Sequence, residues 1–592
     1  MHHIAALSPA GHRTPGQSDR VALFDVCAPR AVAPNVGGPG FVTTSLPPQG
    51  GLSLNMARAM RISAWVCGAL AVLLWMGPSL LRPDISNGDA TQHVYWLYRY
   101  ADRLLFPNDL SIEYFASDSV APWGYRALYA MLVPFGDALF VAKLVAAALL
   151  AWTLVLAWRL GAQIVESARP VAGLVAVTAI VVLLTRSDLL PAMGFQRTFA
   201  LPLTLLCLWA LVARRYVWVG VSWVAAALFY PVIIPVLGLT AAVVFLGDLL
   251  RERRMPPLWQ WNALLGVAAI AIVVFGSGTP EGIGPMVTYE QALAMPEFGA
   301  GGRQTLFGTS WIDSWFFQGR MGLGWSPKIV LAMAAAVAVT FALRRRKLIP
   351  PAAWALAAVG VVLWFVSRLI LFTLYLPNRH SRMALAAFAM VVFMAAAFAV
   401  LQAVSARWPK GGARAFWGLA FLAPLVVVGA LLPTALAAWQ RPVDRDMERA
   451  YQFIATLPKD TLVAAHPDLA DFVPLRSQRS VLVSTEVSIA FMQGYYRRLV
   501  PRIEASLRAA YASSWDEVES ALDPYHVNVM LTAPRVWTET TYYPPFDKLA
   551  RGLIERGKLE GFVLQNPPPD RILFRSGDVY VLRVGAGPGS HG

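Results

Sequence analysis

Cysteine is almost absent from this chain, with three among 592 residues. Cys27 lies in the amino-terminal stretch, and Cys67 and Cys207 lie in apolar runs, so no exported disulfide framework is available. Any part of the chain outside a membrane must stand on its own core. Charge is scarce as well, at 14% Asp, Glu, Lys and Arg against roughly 25% in soluble proteins. Several motifs are missing too. No GxGxxG follows an apolar strand-like run and no P-loop appears, which leaves nucleotide binding without support. No GxSxG elbow appears, so a serine hydrolase has none either. His466 and Asp468, in AAHPDLADF, lack a Cys or HxxxH partner for zinc and read as turn chemistry.

What is abundant is apolar sequence, 57% of residues, with a mean hydropathy of +0.52. Runs long enough for a hydrocarbon core of ~30 Å, at ~20 residues each, recur at 62–81, 138–160, 171–185, 198–213, 217–230, 232–249, 259–276, 328–343, 351–372, 383–404 and 416–439. The expected fold is a multi-span α-helical membrane protein with about eleven transmembrane helices.

The formal charge is +15, but its distribution argues against a nucleic-acid partner. From Arg441 onward, eighteen basic residues balance eighteen acidic ones, so the excess lies in the apolar part. There it falls in alternate loops: Arg159 and Arg169; Arg214 and Arg215; Arg251, Arg253 and Arg254; Arg344 to Lys347; Arg407, Lys410 and Arg414. By the positive-inside rule these loops are cytoplasmic. With Arg58 and Arg61 before the first run, the amino terminus is expected inside and, after an odd number of spans, the carboxyl end outside.

Residues 1–55 are rich in Pro, Gly and Ser and read as a disordered cytoplasmic tail, with Met56 an alternative start. The apolar domain is expected over 56–440, with external loops at 82–136, 277–327 and 373–382. After Gln440 the composition becomes that of a soluble domain. Strands are predicted at 462–465, 481–484, 527–532, 562–565 and 579–584, and helices near 446–457, 486–510 and 546–556. This predicts an external α/β domain over 441–592.

The polar segment SNGDATQHVYWLYRYADR, from Ser86 to Arg103, directly follows the first apolar run. Val94, Leu97, Ala101, Leu104 and Leu105 fall at helical spacing. They predict an amphipathic helix in the interface plane with Trp96, Tyr98 and Tyr100 at headgroup level. Asp89, with Asp84 before it and His93 one turn later, is placed to act as a general base or to hold a divalent cation, Mg or Mn. Asp is also a preferred helix cap, so capping is the alternative. The cluster Arg379, His380 and Arg382 offers two permanent cations whose forks match phosphate, or else ordinary snorkelling side chains. Arg197, in GFQRTF, either meets an anionic headgroup or anchors the interface. In the long loop, Glu290, Glu297, Arg303, Asp313 and Arg320 form a pool of polar contacts, accompanied by Trp311, Trp315 and Phe316.

From about Ala64 to Val584, this layout resembles the GT-C superfamily of polytopic membrane glycosyltransferases. GDATQHVYWLYRYAD is similar to the acidic first-loop motif of oligosaccharyltransferase catalytic subunits and protein mannosyltransferases, with Asp89 in the acidic position. The chain lacks an adjacent Asp-Glu pair and a WWD-type motif. The resemblance implies transfer of a sugar from a polyprenyl-phosphate donor to an envelope glycan or glycolipid acceptor on the external face. Asp89, with His93, would supply catalysis, and Arg379, His380, Arg382 and Arg197 would hold the donor phosphate. Glu297, Arg303, Asp313 and Trp315 would contact acceptor or sugar, and Asp84 with Asp89 would hold any metal. The implied setting is a bacterial inner membrane, with the carboxyl-terminal domain periplasmic. The rival readings are a transporter or flippase of a lipid-linked or anionic solute, which predicts inverted repeats and ionisable residues at span centres, and a non-catalytic envelope assembly protein.

Overall fold

The computed structural model describes residues 53–585 apart from 108, 188, 256, 277, 309, 311, 318 and 539–541. The amino-terminal tail up to residue 52, with Cys27, and Trp311 therefore lie outside the described residues.

Each predicted apolar run forms a helix, because a backbone among apolar neighbours must satisfy its own N–H and C=O groups. They are α1 (Leu54–Leu81), α2 (Ala138–Ile164), α3 (Arg169–Arg186), α4 (Ala200–Val212), α5 (Tyr216–Phe229), α6 (Ile234–Glu252), α7 (Trp259–Phe275), α8 (Pro327–Ala342), α9 (Pro351–Leu369), α10 (Asn378–Arg407) and α11 (Pro409–Gln440). Among the described residues, seven helical stretches are long and apolar enough to cross a membrane; α4, α5, α7 and α8 belong to shorter apolar stretches. The Ser53 hydroxyl opens α1 by accepting the Met56 N–H at 3.2 Å.

The centre of the bundle is α10, whose apolar window is 78% buried, against 22% for α11 at the periphery. Its sequence MALAAFAMVVFMAAAFAV explains this, since alanine rows let neighbouring helices approach closely. Gly161 of α2 serves the same end. A Cβ there would stand 2.6 Å from the Ala172 carbonyl oxygen of α3.

The carboxyl-terminal segment folds as α12 (Arg445–Thr456), β1 (Leu462–Ala465), β2 (Ser480–Val481), α13 (Gln493–Ala510), α14 (Trp515–Leu522), β3 (Val529–Thr532), α15 (Asp547–Glu560), β4 (Ile572–Ser576) and β5 (Val579–Arg583). Its sheet runs β2-β1-β3-β5-β4. The β1 pairings are parallel, with Val463 opposite both Val481 and Val529. The β5 pairings with β3 and β4 are antiparallel. Two expectations fail here. Residues 563–565 form a 3-10 turn instead of a strand, and the fifth strand is β4, where Arg575 interrupts the apolar pattern with an outward charge. The predicted helix at 486–510 starts only at Gln493, because the preceding segment pairs with a loop instead.

That pairing ties the second long loop to the domain. Val287 N–H donates to Phe491 O at 2.9 Å, Gln493 N–H to Pro285 O at 2.8 Å and Tyr495 N–H to Ile283 O at 2.9 Å. Only glycine suits position 494, where a Cβ would lie 2.2 Å from the Gly282 carbonyl oxygen. The first loop is tied through Arg498 to Glu113 at 2.7 Å and Lys459 to Asp102 at 2.5 Å.

The first loop itself departs from the expected interfacial helix. It makes a short helix, Ala90–His93, and then a 3-10 turn, Tyr95–Tyr100. Trp96 and Tyr98 are buried and Tyr100 is half-buried, instead of lying at headgroup level. The aromatic run packs inward, with Trp96 tilted against Tyr125 at 6.4 Å and the Tyr98 hydroxyl donating to Asp137 at 2.8 Å.

Candidate active site

Asp89 begins the short helix, but its side chain caps nothing. Its N–H donates to the Asn87 side chain at 2.8 Å, which turns the chain, and its carboxylate is ion-paired with Arg197. The Asp89 side chain thus engages Arg197 and makes no cap. Arg197 comes from the turn Gln196–Phe199 before α4 and lies over the Phe195 ring at 5.4 Å. Burial would raise the Asp89 carboxyl, yet the Arg197 guanidinium, with His93 and Arg379 behind it, holds it below the usual carboxylate range.

His93 follows one helical turn later and is half-buried. Its ring lies edge-on to Phe115 at 5.9 Å and tilted against Phe195 at 5.7 Å. Burial brings the imidazole down to about 4, so it is neutral near pH 7. Its Nδ1 is buried without a hydrogen-bond partner among the described residues.

Arg379 stands in the first turn of α10, and its Nε is likewise buried and unpartnered. Arg382, one turn further, donates to the Ser187 carbonyl at 2.8 Å. Together with Arg197 and Asn87, these two arginines line a cavity of about 180 Å³, closed on its apolar side by Leu184 and Leu201. His380 is placed elsewhere. Its Nε2 bonds the Leu374 carbonyl at 2.7 Å, so it fixes the preceding loop and does not face the cavity.

The second long loop supplies two more cations. Arg303 is paired with Glu486 of the carboxyl-terminal domain at 2.7 Å and donates to the Thr485 carbonyl at 2.9 Å. Arg320 lies in the field of Arg379, Arg303 and Asp89, with its Nη1 buried and unpartnered. Sequence reading placed Arg320 only in a pool of loop charges, and Glu486 escaped it. The signals available for both were weak: single charges in apolar or turn-forming surroundings.

The other expected contact residues engage neighbours of their own. Glu297 is buried inside its own turn, where its carbonyl accepts the Gln304 N–H at 3.0 Å. Asp313 opens a π-helical turn. Trp315 packs against the upper part of α9, 6.2 Å from Trp364 and 4.2 Å from the Arg368 guanidinium. Asp84 is bonded to Arg82 at 2.5 Å, and Arg82 in turn caps the end of α11 through the Trp439 carbonyl at 2.8 Å. With Asp84 and Asp89 each engaged by its own arginine, and no cluster of three metal-ligating side chains among the described residues, the donor set does not fit a divalent cation.

A second, larger space lies beside the first. It is a groove of about 870 Å³ between α3, α8, α10 and α11, lined by residues such as Val175, Val182, Phe393 and Val404, with Arg186 and Lys328 at one end. Arg382, which lines the smaller cavity, donates to the Ser187 carbonyl and lies against Gly324.

No family model matches the chain, and no curated protein sequence matches it. Among solved structures, the chain is similar to the oligosaccharyltransferase of Archaeoglobus fulgidus. To the form tethered with an acceptor peptide it has 12% identity and a TM-score of 0.43, covering 85% of this chain and 72% of that one. To the complex with an inhibitory peptide and a dolichol-phosphate, the identity is 11% and the TM-score 0.46, covering 82% and 70%. To the complex with Zn and sulfate, they are 12% and 0.37, covering 83% and 70%.

Proposed function

We propose that the chain is an integral membrane glycosyltransferase that moves a sugar from a polyprenyl-phosphate donor to a hydroxyl of an envelope glycan or glycolipid. The observation that carries this reading is the charge balance around Asp89. Arg197 is matched by Asp89 and Arg303 by Glu486, while Arg320 and Arg379 have buried guanidinium nitrogens and no carboxylate partner among the described residues. Buried guanidinium N–H groups without partners cost free energy, and a phosphate oxygen pair is the ligand that guanidinium forks match. The adjoining groove has the character of an isoprenoid tail site, apolar along its length with cations at one end.

In this reading the bundle crosses the membrane eleven times. The loops that carry Asp89, Arg197, Arg303, Arg320 and Arg379, together with the carboxyl-terminal domain, then face the external side of a bacterial inner membrane. The acceptor hydroxyl gives its proton to Asp89 as its oxygen bonds the anomeric carbon. The bond from that carbon to the phosphate oxygen breaks, and the electron pair leaves with the phosphate. Charge therefore grows on the leaving phosphate, where fixed guanidinium groups in a water-poor site stabilise the transition state more than the ground state. No step is assigned to a metal, because the carboxylates at hand are each engaged by an arginine.

The test is mass spectrometry of envelope glycans and glycolipids from a deletion strain complemented with wild type or Asp89→Asn at matched membrane levels. A sugar-bearing species should vanish on deletion, return with wild type and stay absent with Asp89→Asn; loss of a general base lowers rates by about 10²–10⁴-fold. Restoration by both proteins would remove Asp89 from the chemistry. An unchanged profile in every strain would favour a transporter or an assembly protein.

A further inference from the structure

We propose that Glu486 is the acceptor-binding residue that the carboxyl-terminal domain contributes to the Asp89 site, receiving a hydroxyl of a neutral, hydroxyl-rich acceptor on its oxygen Oε1. This rests on the glycosyl-transfer reading above and names the residue that selects the acceptor.

The geometry of the carboxylate carries the inference. Oε2 accepts from Arg303 at 2.7 Å and from the Gln92 amide at 3.0 Å. Gln92 also donates to the Glu486 carbonyl at 2.5 Å. Oε1 has no hydrogen-bond donor among the described residues. It lies directly over Gly88, where a Cβ would meet it at 2.7 Å, and Gly88 immediately precedes Asp89. The side chain as a whole is 27% exposed. The carboxylate is therefore held rigidly by one oxygen and presented by the other.

The backbone around it is fixed with equal care. The Glu486 N–H donates to Asp471 at 2.8 Å. Gln304 donates to the Ser488 carbonyl at 2.9 Å and accepts the Ala490 N–H at 3.2 Å. A latch between domain and loop would need only Oε2 and these backbone bonds. The second oxygen beside the base is surplus to that task.

The surrounding charge selects the class of ligand. A cationic acceptor would be repelled by Arg320 and Arg379, which have no carboxylate partner among the described residues, and an anionic one would compete with the donor phosphate for them. A neutral hydroxyl donates well to a carboxylate and carries neither penalty. Glycans present hydroxyls in pairs, so one would reach Oε1 while its neighbour reaches Asp89.

The test uses full-length protein in liposomes with polyprenyl phosphate carrying tritiated glucose, galactose or mannose. The acceptor is the envelope glycan fraction of a deletion strain. Glu486→Gln keeps the size of the side chain. It should raise the half-saturating amount of acceptor about tenfold without shifting the half-saturating donor concentration. Gln304→Ala loosens the same segment without touching Gly88 and should not reproduce that split. If Glu486→Gln leaves acceptor saturation unchanged, or if both variants lower the melting temperature and weaken both substrates alike, Glu486 is a latch and the proposal is overturned. If wild type transfers none of the three sugars, the glycosyltransferase reading itself falls and this inference with it.

Discussion

Arg197 is the residue on which the chemistry of the site turns, because it holds Asp89 while also lining the cavity shared with Arg379 and Arg382. A carboxylate held below its ordinary range is ionised over a wide pH span, so the base stays available until the pH falls through that depressed value. Removing the guanidinium leaves burial as the largest influence on Asp89, and burial raises it. Arg197→Gln should therefore move the acid limb of the pH–rate profile for kcat/KM to higher pH, with activity falling off sooner on acidification. A limb that stays in place would mean that Asp89 does not set it. Asp89 was legible in the sequence because an acidic residue in a polar segment after an apolar run stands out. Its partner was not, since Arg197 lies 108 positions away and its own neighbourhood reads equally as an interface anchor.

At the scale of elements, close packing and buried polar groups set the sensitivities. A methyl group at Gly161 would meet the Ala172 carbonyl at 2.6 Å, and backbone gives way less readily than a side chain. Gly161→Ala should force α2 and α3 apart at a cost of about 1–3 kcal/mol, seen as a lower midpoint of thermal unfolding in detergent; an unchanged midpoint would show that the pair tolerates the shift. In the carboxyl-terminal domain His466 is enclosed by Tyr511 and Tyr542, with ring centroids at 5.6 and 5.4 Å. Burial brings its imidazole from 6.5 down to about 4. Between these values the unfolded chain binds the extra proton, so this contribution to stability is intact above pH 6.5 and is lost as the pH falls toward 4, at roughly 1.4 kcal/mol per pH unit. His466→Gln in the full chain should flatten that part of the profile, and a wild-type slope in the variant would assign the acid sensitivity to other groups. The strands around it were partly legible: β1 and β5 are short apolar runs, whereas β4 is interrupted by a charge and became visible only through its pairing with β5.

For the whole molecule, the decisive property is the side on which the loops lie. Cys67 and Cys207 are buried, so once Cys27 is replaced by Ser the chain offers a quiet background for introduced thiols. A cysteine at the exposed Glu560 should react with an impermeant maleimide in intact spheroplasts, and one at the exposed Arg346 only after permeabilisation. The reverse pattern would invert the orientation and place the Asp89 site on the cytoplasmic face.

The sequence by itself determined the apolar helices and their order, the alternation of basic loops and the standing of Asp89 as an acidic residue after the first helix. These are local properties: the free energy of placing a segment in hydrocarbon is close to a sum over its own residues, so it can be read along the chain. Only the tertiary structure decided which charges meet. Asp89 takes Arg197 instead of capping its helix, Asp84 is drawn to Arg82, and Arg303 finds Glu486 across 183 positions. Arg320 is left in the field of Arg379, while Trp315 turns to α9. Such pairings depend on distances between loops carried by different helices, fixed by how alanine-rich and glycine-bearing surfaces pack. No composition, period or spacing within one segment contains that information.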